Sequence, residues 1–437
     1  MKILKWLGVF VGACLLLLIF TIGPIDRTPL VEQPFYQKMM VKLDSSKPKV
    51  AHGKIEAAWN RVNITPSGNM PMAGYTVRDH FDSVHDSLYA NLLLLKIGNK
   101  RVALISLDLL IFPPKLKKRL LELQENNHDS TFLYLSASHT HNGVGGWDDS
   151  IGGEIAFGDY HEEWIELTAQ KLLKQLQATY LPAKLKYWES EANNILENRI
   201  TVKEGVTEGT IRGLIIERSD STTACLFSYS AHATSIRKKI QSLSGDYPAA
   251  VIQNLSKKFN FTMFMSGMVG SHMFNIKDVE NFDLVKKVSD SVTHKIFQRK
   301  EFIPVDSITI STANIPIEFG SSQLRITKNL KINDWLFRAV FNRLQGNLTY
   351  LKLGNVVMLG TPCDFSGEIF VRQNLKQLQS QNTDHLFITS FNGDYTGYIT
   401  YDGHYDTQQH TELYEMNWVG PYYGDYFSRI IQKVYLW

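Results

Sequence analysis

The stretch Thr131–Gly146 reads TFLYLSASHTHNGVGG. Its first six residues make an apolar run of strand length, and the rest is a loop marked by Gly143, Gly145 and Gly146. An extended His-x-His, here His139 and His141, sets both imidazoles on one side of the chain, as two metal ligands or a ligand and a base require. Three further strand-length runs end in the same way. Ala224–Ser230 (ACLFSYS) enters Ala231-His232-Ala233-Thr234, and Leu351–Leu359 (LKLGNVVML) enters Gly360-Thr361-Pro362-Cys363-Asp364-Phe365. Leu386–Phe391 (LFITSF) enters Asn392-Gly393-Asp394-Tyr395-Thr396-Gly397-Tyr398. Four strand ends thus deliver acid–base or metal-competent side chains into Gly- or Pro-marked loops. Ligands of open α/β sheets bind outside the carboxyl ends of strands, so one crevice lined by these loops is expected.

Other apolar runs, Asn91–Lys96, Val102–Ile111 and Phe261–Met265, read as further buried strands. Helical spacing covers Lys115–Glu125, Glu162–Leu176, Tyr247–Lys258 and Gly367–Gln379; in the second, Trp164, Leu167, Leu172 and Leu176 form an apolar face. The fold class expected is α/β, with mixed β-sheets layered with amphipathic helices and a metal site in loops at strand C-terminal ends. Each loop residue also has a plainer reading. His232 alone reads as a hydrogen-bonded core histidine, Asp364 as a helix cap before FSGEIF, and Tyr398 as packing. Their convergence favours chemistry: neutral imidazoles with a carboxylate make a zinc-type ligand set.

The 437 residues are 44% hydrophobic and 20% charged, which excludes collagen-like, coiled-coil and wholly disordered classes. The net charge of +3 lacks the basic footprint of a nucleic-acid binder, so no nucleic-acid partner is expected. Three cysteines make no disulfide framework, and a Cys225–Cys363 pair is left open. Residues 1–25 carry Lys2 and Lys5 before an uncharged run, Trp6–Ile22. This reads as an N-terminal membrane anchor (a transmembrane signal-anchor) or a cleaved signal segment, with a lipoprotein at Cys14 as a weaker alternative. All three place the remaining chain outside the cytoplasm, periplasmic, lumenal or extracellular. Residues 26–49, with Pro29, Pro34 and Pro48, read as a polar stalk, and residues 50–437 as one catalytic unit. Between Leu324 and Leu344, basic residues alternate with Trp335, Leu336, Phe337, Val340 and Phe341; the segment reads as a membrane-surface helix or as an ordinary surface helix.

Several motifs, in order, resemble the neutral ceramidases (the neutral/alkaline non-lysosomal family), zinc amidases that cleave the N-acyl bond of ceramide. NITPSGNMPMAGY (Asn63–Tyr75) is similar to the family's D-I-T-P…M-x-G-Y opening, with Asn63 at the aspartate. SHTHNGVGGW is similar to S-H-T-H-S-G-P-G-G, SAHATS to V-H-G-T-S, Asn198-Arg199 to N-R-S, and TPCDF to V-P-G-E-F. YTGYIT with YDGHYDTQQHTELY resembles the Y-x-x-Y-I-T…E-E-Y-x-A-Q-x-Y-E region. The resemblance implies that His139, His232, Asp364 and Tyr398 bind Zn2+, that His141 is the general acid/base, and that Arg199 contacts the carbonyl or developing oxyanion. It implies substrate contacts at Tyr395, His410 and Ser271, and water activated by zinc as the nucleophile.

Three departures bear on function. Asp364 stands for a glutamate ligand and His410 for a second tyrosine. Met273 stands where the family has an active-site serine, with Ser271 two residues away. The family's C-terminal β-sandwich has no expected counterpart in these 437 residues, so the expectation is firmer for the reaction class than for ceramide itself. The expectation is therefore a zinc-dependent hydrolase of a ceramide-like or other N-acylated lipid, of unknown oligomeric state. A metal-dependent esterase and a catalytically lapsed binding protein on the same fold are the alternatives.

Overall fold

In the strand Tyr89–Ile97, Leu92 and Leu94 belong to one apolar cluster while Leu93 and Leu95 belong to another. Side chains alternate in face along a strand, so four consecutive leucines mark a strand buried on both sides. The strand Phe132–Ala137 divides likewise, Leu133 and Leu135 from Tyr134, and Val356–Gly360 divides Val357 and Leu359 from Val356 and Met358. The resulting architecture, in a computed structural model that describes residues 6, 20–201, 205–299, 302–304 and 309–437, is helix, sheet, sheet, helix.

The larger sheet has nine strands. Its path runs Phe261–Ser266, Thr223–Tyr229, Thr210–Arg218, Leu181–Glu191, Glu56–Asn63, Tyr89–Ile97, Lys100–Leu107 and Phe132–Ala137, and Phe302–Pro304 pairs beside Leu181–Glu191. The smaller has five, in the order Lys49–His52, Thr309–Pro316, Asn347–Leu353, Val356–Gly360 and His385–Thr389. Leu93, Leu104, Tyr134, Leu226 and Met263 of the first share a core with Leu351, Met358 and Phe387 of the second. Helices Pro114–Asn126 and Glu162–Gln175 cover the outer face of the larger sheet near Phe132–Ala137, and Asp246–Leu255 and Asn281–Phe297 cover its other end. Helices Pro34–Ser45, Gly367–Arg372 and Tyr423–Tyr435 cover the smaller.

Within the two large sheets, parallel pairing joins Lys100–Leu107 with Phe132–Ala137, Thr223–Tyr229 with Phe261–Ser266, and Val356–Gly360 with His385–Thr389. The ends of these pairs are laced together. Ser136 Oγ donates to the Ser390 carbonyl (3.0 Å), Ser390 N–H to the Ser266 carbonyl (2.9 Å), and Ser390 Oγ to the Gly267 carbonyl (2.8 Å). This lacing across both sheets brings the four loops to one place. The α/β layering expected from the sequence is what the structure has.

The N-terminal expectations need correction. Most of the run Trp6–Ile22 lies outside the described residues. Its last residue begins a short strand, Ile22–Pro24, paired antiparallel with Leu330–Ile332. Among the described residues no helix is long and apolar enough to cross a membrane; the longest, Asn281–Phe297, has 17 residues and several charges, where a crossing needs about 20 apolar ones. That finding overturns the transmembrane signal-anchor and the membrane-anchored placement drawn from it, and leaves membrane association through the N-terminal segment without support.

Residues 26–49 pack as part of the body. Pro34 starts a helix to Ser45 whose Met39 and Leu43 are fully buried in the cluster of the C-terminal helix, and Phe35 stacks on Tyr423 at 5.3 Å. Lys49–His52 then joins the smaller sheet as an edge strand. Leu43→Ala is therefore expected to cost about 2–5 kcal/mol, as core leucine truncations do, where a stalk residue would cost almost nothing; chemical denaturation measures it.

Two other differences are local. The expected helix Gly367–Gln379 is two helices, broken where Asn374 adopts a left-handed φ of 61°. In the basic stretch only Asp334–Phe341 is helical. Cys225 and Cys363 are free, buried and in different core clusters.

Candidate metal centre

Each imidazole at the strand ends is held by its own backbone surroundings. His139 follows Phe132–Ala137 with φ of 61°, a left-handed conformation that turns its ring back under the loop. There the ring stacks on Phe391 (centroids 4.4 Å apart), and Nδ1–H donates to the Leu110 carbonyl at 2.7 Å. His232 follows Thr223–Tyr229, and its Nδ1–H donates to the Val269 carbonyl at 3.1 Å. A carbonyl oxygen can only accept, so both rings carry their proton on Nδ1 and present a lone pair on Nε2.

Those two Nε2 atoms face each other at 2.8 Å. Asp364 Oδ1 lies 3.2 Å from His139 Nε2, and Tyr398 Oη lies 3.2 Å from His232 Nε2. Asp364 and Tyr398 are register partners in a short parallel pair, Asp364–Phe365 with Tyr398–Ile399, which puts both side chains on one side. Four donor atoms thus converge from four loops, two of them opposed lone pairs that repel without a cation between them. The residues fit a metal ion. Orienting carbonyls on the far ring nitrogens are what metal-ligating histidines almost always have. Asp364 is oriented too: Tyr395 OH donates to its Oδ2 at 2.7 Å.

His141 stands beside this set. Its ring lies 5.0 Å from that of His139 and 5.3 Å from that of His232, and ligand atoms of the three histidines lie within 4.8 Å of one another, close enough for all three to share an ion. It differs from the other two in that neither buried ring nitrogen makes a well-formed hydrogen bond, the Gly74 backbone alone bearing on the ring. Its backbone is fixed instead: Arg78 donates to its carbonyl, and Tyr75 packs on its ring at 4.8 Å. Gly74, with φ of 116°, lets the chain pass so closely that a Cβ there would sit 2.4 Å from the His141 Cα. That close approach is the physical reason for the glycine of the M-x-G-Y motif.

Burial, then neighbouring His139, holds His141 well below the ordinary histidine range; burial, then the Arg199 charge, does the same for His232. Both are neutral at physiological pH, as a ligand or a base must be. Burial and the Asp364 carboxylate push the Tyr395 and Tyr398 hydroxyls well above their usual range.

The remaining expected residues are placed unevenly around the cluster. Arg199 follows the strand Leu196–Asn198, its guanidinium Nη2 2.8 Å from Glu412 Oε1 and its Nη1 buried without a partner. His410 is partly exposed and touches the same Glu412. Ser271 is fully buried, and its hydroxyl is taken up by Ser366 Oγ at 2.7 Å, the residue that caps the helix after Asp364. Tyr395 is spent on orienting Asp364. Met273 lies in the strand His272–Phe274, which pairs with Leu196–Asn198. Sequence reading missed Glu412, and missed Tyr75 and Arg78 as supports of His141.

No protein-family model matches the chain, and no curated protein is similar to it in sequence. Solved structures are similar in fold. The neutral ceramidase from Pseudomonas aeruginosa superposes with a TM-score of 0.74 over 88% of this chain and 75% of that one, at 14% identity. A ceramidase complexed with C2 gives a TM-score of 0.71 with the same coverage and identity. The chain has the fold of the neutral ceramidases, as its ordered motifs imply.

Proposed function

We propose that this protein is a zinc-dependent hydrolase that cleaves the N-acyl amide bond of a ceramide-like or other N-acylated lipid. The observation that carries the reading is the pair of Nε2 lone pairs opposed at 2.8 Å, with Asp364 and Tyr398 beside them. The ceramidase fold and the motif order support the substrate class. His139, His232, Asp364 and Tyr398 would hold the ion, a set of nitrogen and oxygen donors that suits zinc. Zinc bound there would supply the Lewis acidity that brings the pKa of water toward neutrality.

The chain's own residues do the rest. His141, neutral and with no well-formed hydrogen bond at either ring nitrogen, takes a proton from the attacking water and returns it to the departing amine. Arg199 Nη1, a buried donor without a partner, faces the charge that develops on the acyl oxygen, an interaction commonly worth about 3 kcal/mol. The sum is amide plus water giving carboxylic acid and amine, with no covalent enzyme intermediate, so Met273 at the family's serine position is no obstacle.

The test is metal content and turnover of the purified chain. About one zinc per chain, with release of fatty acid from N-acyl lipids faster than from matched esters, is the expected result. Absence of bound metal in folded, zinc-supplied protein overturns the reading. Metal with ester cleavage alone replaces it by an esterase.

A further inference from the structure

Glu412 has no part in the reading above, yet it is a buried carboxylate beside Arg199, at 2% exposure. A buried carboxylate needs charged or hydrogen-bonded partners to stay ionised. It has two: one oxygen meets Arg199 Nη2 at 2.8 Å and the other meets His410 Nδ1. The short helical turn Thr411–Leu413 that carries it is itself anchored. Arg325 donates to the Leu413 carbonyl and, at 2.8 Å, to that of Tyr405, and lies over the Tyr405 and Tyr414 rings at 3.7 and 4.0 Å.

The charge arithmetic gives this carboxylate a task. Arg199 lies near enough to His141 and His232 for its charge to bear on both. A guanidinium that close to a divalent ion is repelled by it and drifts toward solvent unless something opposes the drift. Glu412 opposes it from the far side, holding Nη2 and leaving Nη1 as the guanidinium nitrogen with no partner. The partly exposed His410 lies with Nδ1 against the same carboxylate, so Nε2 is the ring nitrogen that this contact leaves for a substrate.

We propose that Glu412 is a positioning residue that clamps Arg199 and His410 together, so that Arg199 Nη1 meets the acyl oxygen and His410 Nε2 meets the polar head of the substrate. This rests on the hydrolase reading, and the experiment keeps the two separable. Glu412→Ala, Glu412→Gln, Arg199→Ala and the double variant Arg199→Ala/Glu412→Ala are compared for kcat, KM, zinc content and thermal unfolding. A displaced donor costs about 10- to 100-fold in kcat, which is the loss expected for Glu412→Ala with zinc content unchanged. Glu412→Gln keeps a hydrogen bond to Nη2 and recovers most of that loss. In the Arg199→Ala background, Glu412→Ala adds no further loss, because the residue through which it acts is gone.

Binding of hexanoate, a carboxylate of the product class, is measured on the same four proteins and needs no turnover. Glu412→Ala is expected to change hexanoate affinity when Arg199 is present and to leave it unchanged when residue 199 is alanine. Equal effects in both backgrounds, or parent-like kcat in Glu412→Ala, overturn the proposal. Loss of hydrolysis in every protein, the parent included, overturns the hydrolase reading, and the hexanoate cycle still decides the role of Glu412.

Discussion

His232→Ala is expected to leave the protein folded and almost without zinc. The substitution removes one of the two opposed Nε2 donors and the Nδ1–H that holds the ring on the Val269 carbonyl. Loss of an orienting partner alone typically weakens metal affinity by about 10- to 100-fold, so loss of a ligand with its orientation should exceed about 100-fold. Tyr395→Phe supplies that lesser case in the same protein, since it deletes only the hydroxyl that donates to Asp364 Oδ2. Competition with a chelator of known affinity, followed by elemental analysis, ranks the parent above Tyr395→Phe and Tyr395→Phe above His232→Ala. Hydrolysis should follow the same order. One zinc retained in His232→Ala would place the ion elsewhere and remove the argument from the opposed lone pairs.

That ranking uses residues the sequence made visible, and the reason is local. A strand followed by a short Gly- or Pro-marked loop fixes where a side chain emerges, so His139, His232, Asp364 and Tyr398 could be grouped before any coordinates were known. The double-sided burial of Leu92–Leu95 was legible for the same reason, as four apolar residues in a row leave a strand no solvent face.

Other features depend on partners that lie far away in the chain. The N-terminal segment 26–49 has the composition of a linker, and its helix fully buries just two apolar side chains, Met39 and Leu43, one turn apart. It is packed because Tyr423–Tyr435 offers a matching face, which local composition does not reveal. Leu181–Glu191 alternates irregularly and contains Pro182, yet it lies in the larger sheet because Thr210–Arg218 pairs along its length. Glu412 looked like one carboxylate among many. Its meaning comes from Arg199, brought to it by the docking of Leu196–Asn198 against His272–Phe274. Ser271 shows the converse: spacing put it near the site, while the hydroxyl is used to tie its loop to Ser366.

His141→Ala separates two readings of the histidine cluster that distance alone leaves equal. All three histidines come within metal-sharing range, so a His139–His141–His232 site competes with one completed by Asp364 and Tyr398. The hydrogen bonds favour the second, because His139 and His232 have their far nitrogens anchored on carbonyls at 2.7 and 3.1 Å, while His141 makes no bond of that geometry and has only the Gly74 backbone bearing on its ring. A ring without such an anchor is poorly oriented for a ligand and well suited to a base that must gain and lose a proton. The expected result is a variant with the parent's zinc content and a kcat lowered by about 10²–10⁴-fold, the usual contribution of a positioned general base.

Its stability should stay close to the parent's, because a buried imidazole with no well-formed hydrogen bond carries part of a desolvation penalty of about 1–3 kcal/mol that alanine does not. Loss of the ring's packing on Tyr75 offsets part of that gain. Conserved metal, lost turnover and undiminished thermal stability together identify a residue kept for chemistry at some cost to the fold. If zinc leaves with His141, the ion sits among the three imidazoles, and the proton must be carried by another group at the same crevice.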